Sequence, residues 1–131
     1  MIVVDASAMT ELLLATPLGA KVNARLFRHA DDFHAPHLLD VEVIQALRRL
    51  VRAGHVRRRR AEEAIEDLID FDIRRHPTID FIRRAWELRD NLTAYDAIYV
   101  ALAEAIDAPL VTCDFPLSAA PAHAARIELV R

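Results

Sequence analysis

The chain has 131 residues, of which 53% are hydrophobic, and a formal net charge of −3 at pH 7. This apolar content excludes a disordered chain and suffices for one domain with a buried core, while the acidic balance disfavours general coating of nucleic acid. The only glycines are Gly19 and Gly54, which excludes a glycine-rich phosphate-binding loop. No apolar run approaches the ~20 residues of a membrane span, and no secretory-type leader is evident, so we expect a soluble, cytoplasmic protein without membrane contact.

Cysteine and lysine are each represented by a single residue. Cys113 alone excludes an internal disulfide and a cysteine-based zinc site, and we expect it to be a small buried side chain within a strand. Because Lys21 is the only lysine, every other basic side chain is arginine, the better binder of phosphate and carboxylate. The run Arg57–Arg60 is most simply the exposed start of a helix, although it also suits a nucleic acid or an acidic partner.

Short apolar runs alternate with helical periodicity along the whole chain. The runs predict five strands, at residues 2–4, 32–35, 71–75, 110–113 and 127–130. The periodicity predicts helices over residues 8–15, 18–29, 38–53, 58–69 and 79–92, followed by an apolar helix that opens at Asp96. This alternation indicates one α/β domain over residues 1–131, with three α/β/α layers and a mostly parallel central sheet of about five strands.

Helical spacing also predicts which side chains face the core. In the helix over residues 58–69, Ile65, Leu68 and Ile69 are expected to point inward. In the helix over residues 79–92, Trp86 is expected to be a core anchor. Gly54 is expected to end the helix that precedes it.

Four carboxylates stand where such a fold can gather them. Asp5 closes the first strand, Asp114 closes the fourth, Glu42 lies early in a helix and Asp96 opens the apolar helix. No lysine or arginine lies within three residues of any of the four. Like charges a few Å apart do not all remain ionised without a counter-charge, and a hard divalent cation with oxygen ligands supplies one. The pattern therefore indicates metal-assisted phosphodiester chemistry at the carboxyl ends of the strands.

Each acid also has an ordinary structural explanation. Taken singly, Asp5 is more commonly a helix N-cap than a metal ligand, and Asp114 reads as a turn residue. Thr93 and Asp96 have the spacing of a capping box, but a carboxylate at the mouth of a buried helix needs a partner or a metal. Periodicity does not choose between Glu42 and Asp40, which lies nearer the apolar side of the same helix.

The sequence resembles the PIN-domain family, and in particular the VapC-type toxins of toxin–antitoxin pairs. The stretches that carry the resemblance are residues 2–8, 35–49, 95–103 and 110–114, and their order and spacing agree over essentially the whole chain. The resemblance implies a PIN-like fold and a ribonuclease that depends on Mg²⁺ or Mn²⁺. It implies Asp5, Glu42, Asp96 and Asp114 as the catalytic, metal-binding acids and so selects Glu42 over Asp40.

The resemblance extends to the polar residues around these acids. Ser7 and Thr112 match hydroxyl positions beside the family's metal site. Some relatives add an acidic or amide residue soon after the last aspartate, whereas residues 115–119 contain none, so the number of metal ions is open.

The resemblance also implies an RNA substrate, such as a tRNA or rRNA loop, and a small VapB-type antitoxin that fills the acidic groove, often with an arginine. Arg49 and Arg52 project from roughly the same helix face as Glu42 and are candidates to bind RNA phosphates, the alternative being a solvated surface. The apolar content of residues 18–29 and 38–53 suits either a homodimer face or burial within the monomer. A catalytically silent binding module of the same fold is the alternative function. A receiver-like signalling domain is disfavoured because it requires a lysine near the end of the chain.

Overall fold

A computed structural model describes residues 1–29 and 31–131. Its centre is a five-stranded sheet in the order β3-β2-β1-β4-β5, in which every neighbouring pair is parallel. The strands are β1 (Ile2–Val4), β2 (Phe33–Pro36), β3 (Ile73–His76), β4 (Leu110–Thr112) and β5 (Ile127–Leu129). All five lie within two residues of the predicted positions, because each short apolar run is bounded by turn residues or proline.

Seven α-helices connect the strands in the described part of the chain. They are α1 (Ala6–Leu13), α2 (Pro17–Leu26), α3 (Leu38–Arg52), α4 (Arg58–Asp70), α5 (Ile82–Glu87), α6 (Ala94–Ala105) and α7 (Phe115–Ser118). Helix α1 packs on α2, α3 and α4, whereas α5 and α6 pack on each other, and α6 also contacts β1, β2 and β4. Because parallel crossovers are right-handed, these two groups cover opposite faces of the sheet. The predicted three-layer α/β/α fold is confirmed.

The strongest local predictions are confirmed at β1, α6 and Gly54. The three residues of β1 are buried, as is every residue from Ala97 to Ala103 in α6. Gly54 has φ of 77° just after α3, a left-handed conformation that favours glycine at this position. Both β1 and α6 bury apolar side chains on nearly all sides, so the sequence pattern of these two elements is unambiguous.

The helix predicted over residues 79–92 is wrong in two respects. It consists of a 3-10 turn (Thr78–Phe81) followed by the short α5, and Trp86 is 67% exposed instead of anchoring the core. Phe81 and Leu88 are buried in its place, and the Arg89 guanidinium lies over the indole ring, 4.7 Å from its centroid. The break shifts the helical phase, so that the tryptophan faces outward.

One further expectation about side-chain position is wrong, and for α2 one of the two alternatives left open, burial within the monomer, accounts for its buried apolar residues. Ile69 was expected to point inward but is 65% exposed near the end of α4, where Leu68 occupies the core. The apolar side chains of α2 point into the monomer, with Val22 and Leu26 fully buried. Val22 and Leu26 are therefore not available to a second copy, whereas Phe27, just after the end of α2, is 54% exposed. No helix among the described residues is long and apolar enough to cross a membrane.

Candidate active site

The four predicted acids lie around the carboxyl ends of β1 and β4. The strand order reverses here, since the chain leaves β1 towards β2 on one side and later returns to β4 on the other. Asp5 follows β1 directly, and Asp114 lies two residues beyond β4. Glu42 comes from the second turn of α3, and Asp96 from the first turn of α6. Two of the acids therefore come from the segments that follow strands and two from helices, in distant parts of the sequence.

Asp5 is buried and held in one orientation by three hydrogen bonds. Its Oδ1 accepts from the Ala8 amide at 2.9 Å and from the Ser7 hydroxyl at 2.7 Å, and its Oδ2 accepts from the Thr112 hydroxyl. The first bond makes Asp5 the N-cap of α1, so the structural role anticipated from the sequence is present. Burial raises the pKa of Asp5, these hydrogen bonds offset part of the rise, and the charge of Asp96 adds to it.

Ser7 and Thr112 join the ends of β1 and β4. The Ser7 hydroxyl accepts from the Cys113 amide at 2.9 Å, and the Thr112 hydroxyl accepts from the Asp114 amide at 2.9 Å. Both hydroxyls also donate to Asp5. One hydrogen-bond network therefore orients the Asp5 side chain and fixes the backbone at Asp114. This arrangement places both predicted supporting residues beside Asp5.

Glu42 is partly buried beside the Tyr99 hydroxyl. Its Oε1 is shielded from solvent and has no hydrogen-bond partner among the described residues. Burial raises the pKa of Glu42, the nearby Tyr99 hydroxyl offsets part of the rise, and the charges of Asp96 and Asp5 add to it. A buried carboxylate oxygen without a partner is costly, so Glu42 is well suited to accept a cation.

Asp96 and Asp114 both lie at helix N-termini and interact through their charges. Burial raises the pKa of Asp96, the charge of Asp114 adds to the rise, and the Thr93 side chain offsets part of it. The Asp96 amide donates to the Thr93 hydroxyl at 3.2 Å, and the Asp114 Oδ1 accepts from the Leu117 amide at 3.3 Å. Both acids therefore sit where a helix dipole favours negative charge.

The donor chemistry of this cluster fits a hard divalent cation. Its members are carboxylates whose charges oppose one another, and Glu42 offers an unpartnered buried oxygen. As the side chains stand, no group of three or more His, Cys, Asp or Glu residues in the described part of the chain converges tightly enough to enclose a metal ion. The fit is therefore one of chemistry and position, as suits an ion such as Mg²⁺ that keeps several waters and uses one or two carboxylates.

Asp40, the alternative to Glu42, belongs to an ion pair instead. Its two oxygens accept from the Arg75 guanidinium at 2.8 and 2.9 Å. Asp40 therefore already has its counter-charge, and it is not one of the charges that perturb Asp5, Glu42 or Asp96. Helical periodicity leaves the choice between Asp40 and Glu42 open because it contains no information about Arg75, which comes from β3.

The two candidate RNA-binding arginines differ in their surroundings. Arg49 lines a cavity of about 390 Å³ together with Glu42, Gln45 and Tyr95. Arg52 is exposed one turn further along α3 and does not line this cavity. The structure thus connects Arg49 with the acidic cluster more directly than Arg52.

Tyr99 was not singled out from the sequence, although a signal was present. It is almost fully buried, and the spacing of three residues from Asp96 places both on one face of α6. Burial and the neighbouring charge of Glu42 raise the pKa of Tyr99 above its usual range, so the hydroxyl keeps its proton. The Tyr99 hydroxyl is buried without a hydrogen-bond partner among the described residues, and it lies beside Glu42.

Cys113 differs from the expected buried strand residue. It follows β4 directly and is only partly buried. Burial, together with the charges of Asp5 and Glu11, raises its pKa to about 11. The thiol is therefore protonated at neutral pH and is not an activated nucleophile.

Comparisons with known proteins identify the family and the fold. The PIN domain family model matches residues 2–122. Ribonuclease VapC12 of Mycobacterium tuberculosis is 43% identical over 130 residues, which cover 99% of each chain. The crystal structure of PAE2754 from Pyrobaculum aerophilum matches with a TM-score of 0.69 and 28% identity, covering 96% of this chain and 81% of that one. VapBC2 from Rickettsia felis, solved bound to a DNA fragment from its promoter, matches over 100% of both chains with a TM-score of 0.71 and 13% identity. The family predicted from the sequence is confirmed: the chain belongs to the PIN-domain family, among the ribonucleases named VapC.

Proposed function

We propose that this protein is a divalent-metal-dependent endoribonuclease that acts as the toxin of a toxin–antitoxin pair. The observation that carries the proposal is the gathering of four acids around the carboxyl ends of β1 and β4, in a chain rich in arginine. Burial and neighbouring carboxylates raise the pKa of Asp5, Glu42 and Asp96, and no arginine or lysine is among the causes. The named ribonuclease at 43% identity over the full chain supports RNA as the substrate class.

In this proposal Asp5, Glu42, Asp96 and Asp114 hold Mg²⁺ or Mn²⁺. A bound divalent ion lowers the pKa of a coordinated water and neutralises charge on the leaving oxygen of a phosphodiester. The chain's own part is preorganisation, because Ser7 and Thr112 orient Asp5, and the Tyr99 hydroxyl lies beside Glu42. No side-chain nucleophile is needed, which agrees with the protonated state of Cys113.

Two arginines near the acids provide positive charge for a phosphate-bearing substrate such as RNA. Arg49 lines the cavity that Glu42 also lines, and Arg52 lies one turn further along the exposed side of α3. Neither arginine forms an ion pair with a described residue, so both are available to RNA phosphates. A tRNA or rRNA loop suits the site because its unpaired bases are accessible.

The proposed inhibitor is a VapB-type antitoxin. An acidic cluster without its own counter-charge is a favourable place for an arginine from a partner, because a guanidinium binds carboxylates through two parallel hydrogen bonds. The relative from Rickettsia felis, solved as VapBC2 with promoter DNA, supports this kind of partner.

We also propose a homodimer, formed through α5 and the 3-10 turn before it instead of α2. Three large apolar residues of this segment are exposed: Ile79, Ile82 and Trp86 are 48–72% exposed. Large apolar side chains exposed close together are typical of a protein interface. Light scattering of the purified chain measures its mass directly, and replacing Trp86 by Glu should yield a monomer.

The experiment that tests the activity uses a pool of small RNAs incubated with the purified chain in Mg²⁺, Mn²⁺ or EDTA. We expect cleavage with either metal, none in EDTA and none by Asp96→Asn. Cleavage that persists in EDTA would contradict the metal dependence. RNA binding without any cutting, by a wild-type chain shown to be folded and free of antitoxin, would favour the catalytically silent binding module.

A further inference from the structure

A cavity of about 390 Å³ opens beside the acidic cluster, between α3 and the start of α6. Its apolar walls are Leu38, Val41 and Tyr95, and its polar groups are Glu42, Gln45 and Arg49. Glu42 belongs both to this cavity and to the acidic cluster, and Tyr95 immediately precedes Asp96. The cavity is therefore the continuation of the site along α3.

Tyr95 presents an aromatic ring to solvent at the edge of the acidic cluster. It is 60% exposed and forms no aromatic pair with a described residue, although it stands one residue before a carboxylate of the site. Val41, which lines the same cavity, is 65% exposed. An aromatic ring and an aliphatic side chain thus face solvent in the cavity beside the acids.

The polar groups of the cavity are also uncommitted. Within residues 1–29 and 31–131, the Gln45 amide makes no side-chain hydrogen bond, and Arg49 makes no ion pair. Glu42, Gln45 and Arg49 follow one another at intervals of three and four residues, so they line one side of α3. An aromatic ring, an amide and a guanidinium provide stacking, edge recognition and phosphate binding, which are the contacts that single-stranded RNA requires.

We propose that this cavity binds the base of a nucleotide adjacent to the scissile phosphate. Tyr95 stacks on the base, the Gln45 amide contacts its hydrogen-bonding edge, and Arg49 binds the phosphate beyond it. This inference rests on the proposed ribonuclease activity and deepens it, because it makes Tyr95 and Gln45 determinants of cleavage-site choice. The base must be unpaired to enter, so the substrate is cut in a single-stranded segment.

The test uses oligonucleotides built around a cut site mapped in the RNA pool. One set varies the nucleotide on each side of the cut, and a matched set replaces each of these nucleotides by an abasic residue. We expect Tyr95→Leu to lower kcat/KM on intact RNA by about tenfold to a hundredfold, the usual range for losing one stacked base. On RNA that is abasic at the recognised position, Tyr95→Leu and the wild type should cleave equally.

Three further variants separate recognition from structure. Tyr95→Phe keeps the ring and should retain cleavage, while Gln45→Leu should reduce discrimination among the four nucleotides. Phe27→Leu changes an aromatic residue away from the cavity that packs on Phe33 and Phe71, so it controls for loss of an aromatic contact and should leave cleavage of both intact and abasic RNA unchanged. If Tyr95→Leu cleaves intact RNA normally, or loses as much on abasic RNA, the inference is overturned. If Tyr95→Leu loses as much cleavage on abasic RNA and also changes the mass of the protein in light scattering, Tyr95 belongs to a contact between protein chains.

A binding measurement distinguishes failure of this inference from failure of the proposed function. Fluorescein-labelled single-stranded RNA hexamers are titrated with three proteins: Asp96→Asn alone, and Asp96→Asn combined with either Tyr95→Phe or Tyr95→Leu. Fluorescence anisotropy gives the Kd of each. Weaker binding only in the protein that carries Tyr95→Leu supports the base site even if the wild type cuts no RNA. Equal binding by all three proteins, with a wild type that cuts RNA, would overturn the base site and leave the nuclease intact.

Discussion

The carboxylates of this protein fall into two regions that differ in how their charge is balanced. On the periphery, Glu104 and Glu128 each accept two hydrogen bonds from one guanidinium, that of Arg84 or Arg25, and these bonds lower the pKa of both acids. At the carboxyl ends of β1 and β4, burial raises the pKa of Asp5, Glu42 and Asp96 instead. The protein thus leaves its most desolvated acids without a side-chain counter-charge.

The difference shows how a charged site is held without being neutralised. Asp5 and Asp114 cap α1 and α7, and Asp96 lies in the first turn of α6. Backbone amides and helix dipoles supply fixed partial charges that orient an acid but leave its charge available. Guanidinium partners, such as that of Arg75 on Asp40, would occupy the oxygens that a metal needs.

The largest difference in activity is expected between substitutions of two acids in α3, Glu42 and Asp40. Glu42→Gln should lower RNA cleavage at least about a hundredfold, because it removes a proposed metal ligand. Asp40→Asn makes the same change in net charge on the same helix and should retain cleavage to within about twofold, since Asp40 is already paired with Arg75. Initial cleavage rates at saturating Mg²⁺ measure both. Equal losses in the two variants would show that the acids act only through overall charge.

The two regions should also respond oppositely in stability. Glu104→Gln removes the charge held by Arg84 and the bond from the Ala124 amide, and should lower the free energy of unfolding by about 2 kcal/mol. Glu42→Gln removes a destabilising charge and should raise it by up to about 1 kcal/mol after solvent screening. Urea denaturation in EDTA provides both values. A similar loss in the free energy of unfolding for Glu104→Gln and Glu42→Gln would show that the charge of Glu42 does not destabilise the fold.

The pH dependence of the same variants sharpens the contrast. Because the folded-state pKa of Glu42 is raised above its ordinary 4.5, its ionisation costs stability at neutral pH, and this cost disappears as the pH falls. The gain of Glu42→Gln over the wild type should therefore shrink from pH 7 towards pH 4. Glu104 has a lowered pKa, so the stability that it contributes is present above 4.5 and is lost as the pH falls through its folded pKa. Comparing each variant with the wild type removes the contribution of His34 and His76, whose lowered pKa destabilises the fold below pH 6.5.

The smallest expected effect concerns paired and unpaired arginines. Arg58 and Arg59 lie near Glu62 and Glu63, whereas Arg49 and Arg52 have no such partner among the described residues. Replacing Arg49 or Arg52 by Gln should reduce the dependence of log K on log salt for single-stranded RNA by about 0.7 for each phosphate that is no longer neutralised. The same change at Arg58 should leave it unaltered. Anisotropy titrations at salt concentrations from about 50 to 200 mM measure this slope, because the affinity of a phosphate-binding protein falls steeply over that range. Identical slopes for all variants would exclude a phosphate role for α3.

Much of the fold could be predicted from the sequence because burial leaves a local trace. The strands stand out as short apolar runs between prolines and turn residues, and α6 as a helix that is apolar on nearly every side. Trp86 shows where such reasoning ends. The break between the 3-10 turn and α5 shifts the helical phase, and no periodicity shows which phase meets the core.

For the site, the sequence by itself determined the residue types and their place at strand ends and helix starts. The resemblance to the family selected Glu42. Only the tertiary structure shows that Asp40 is already neutralised, because its partner Arg75 lies in β3, 35 residues away. The structure likewise decided that the Tyr99 hydroxyl lies beside Glu42 and that Tyr95, Gln45 and Arg49 line one cavity. These relations depend on distances between elements far apart in the chain, which local propensity does not encode.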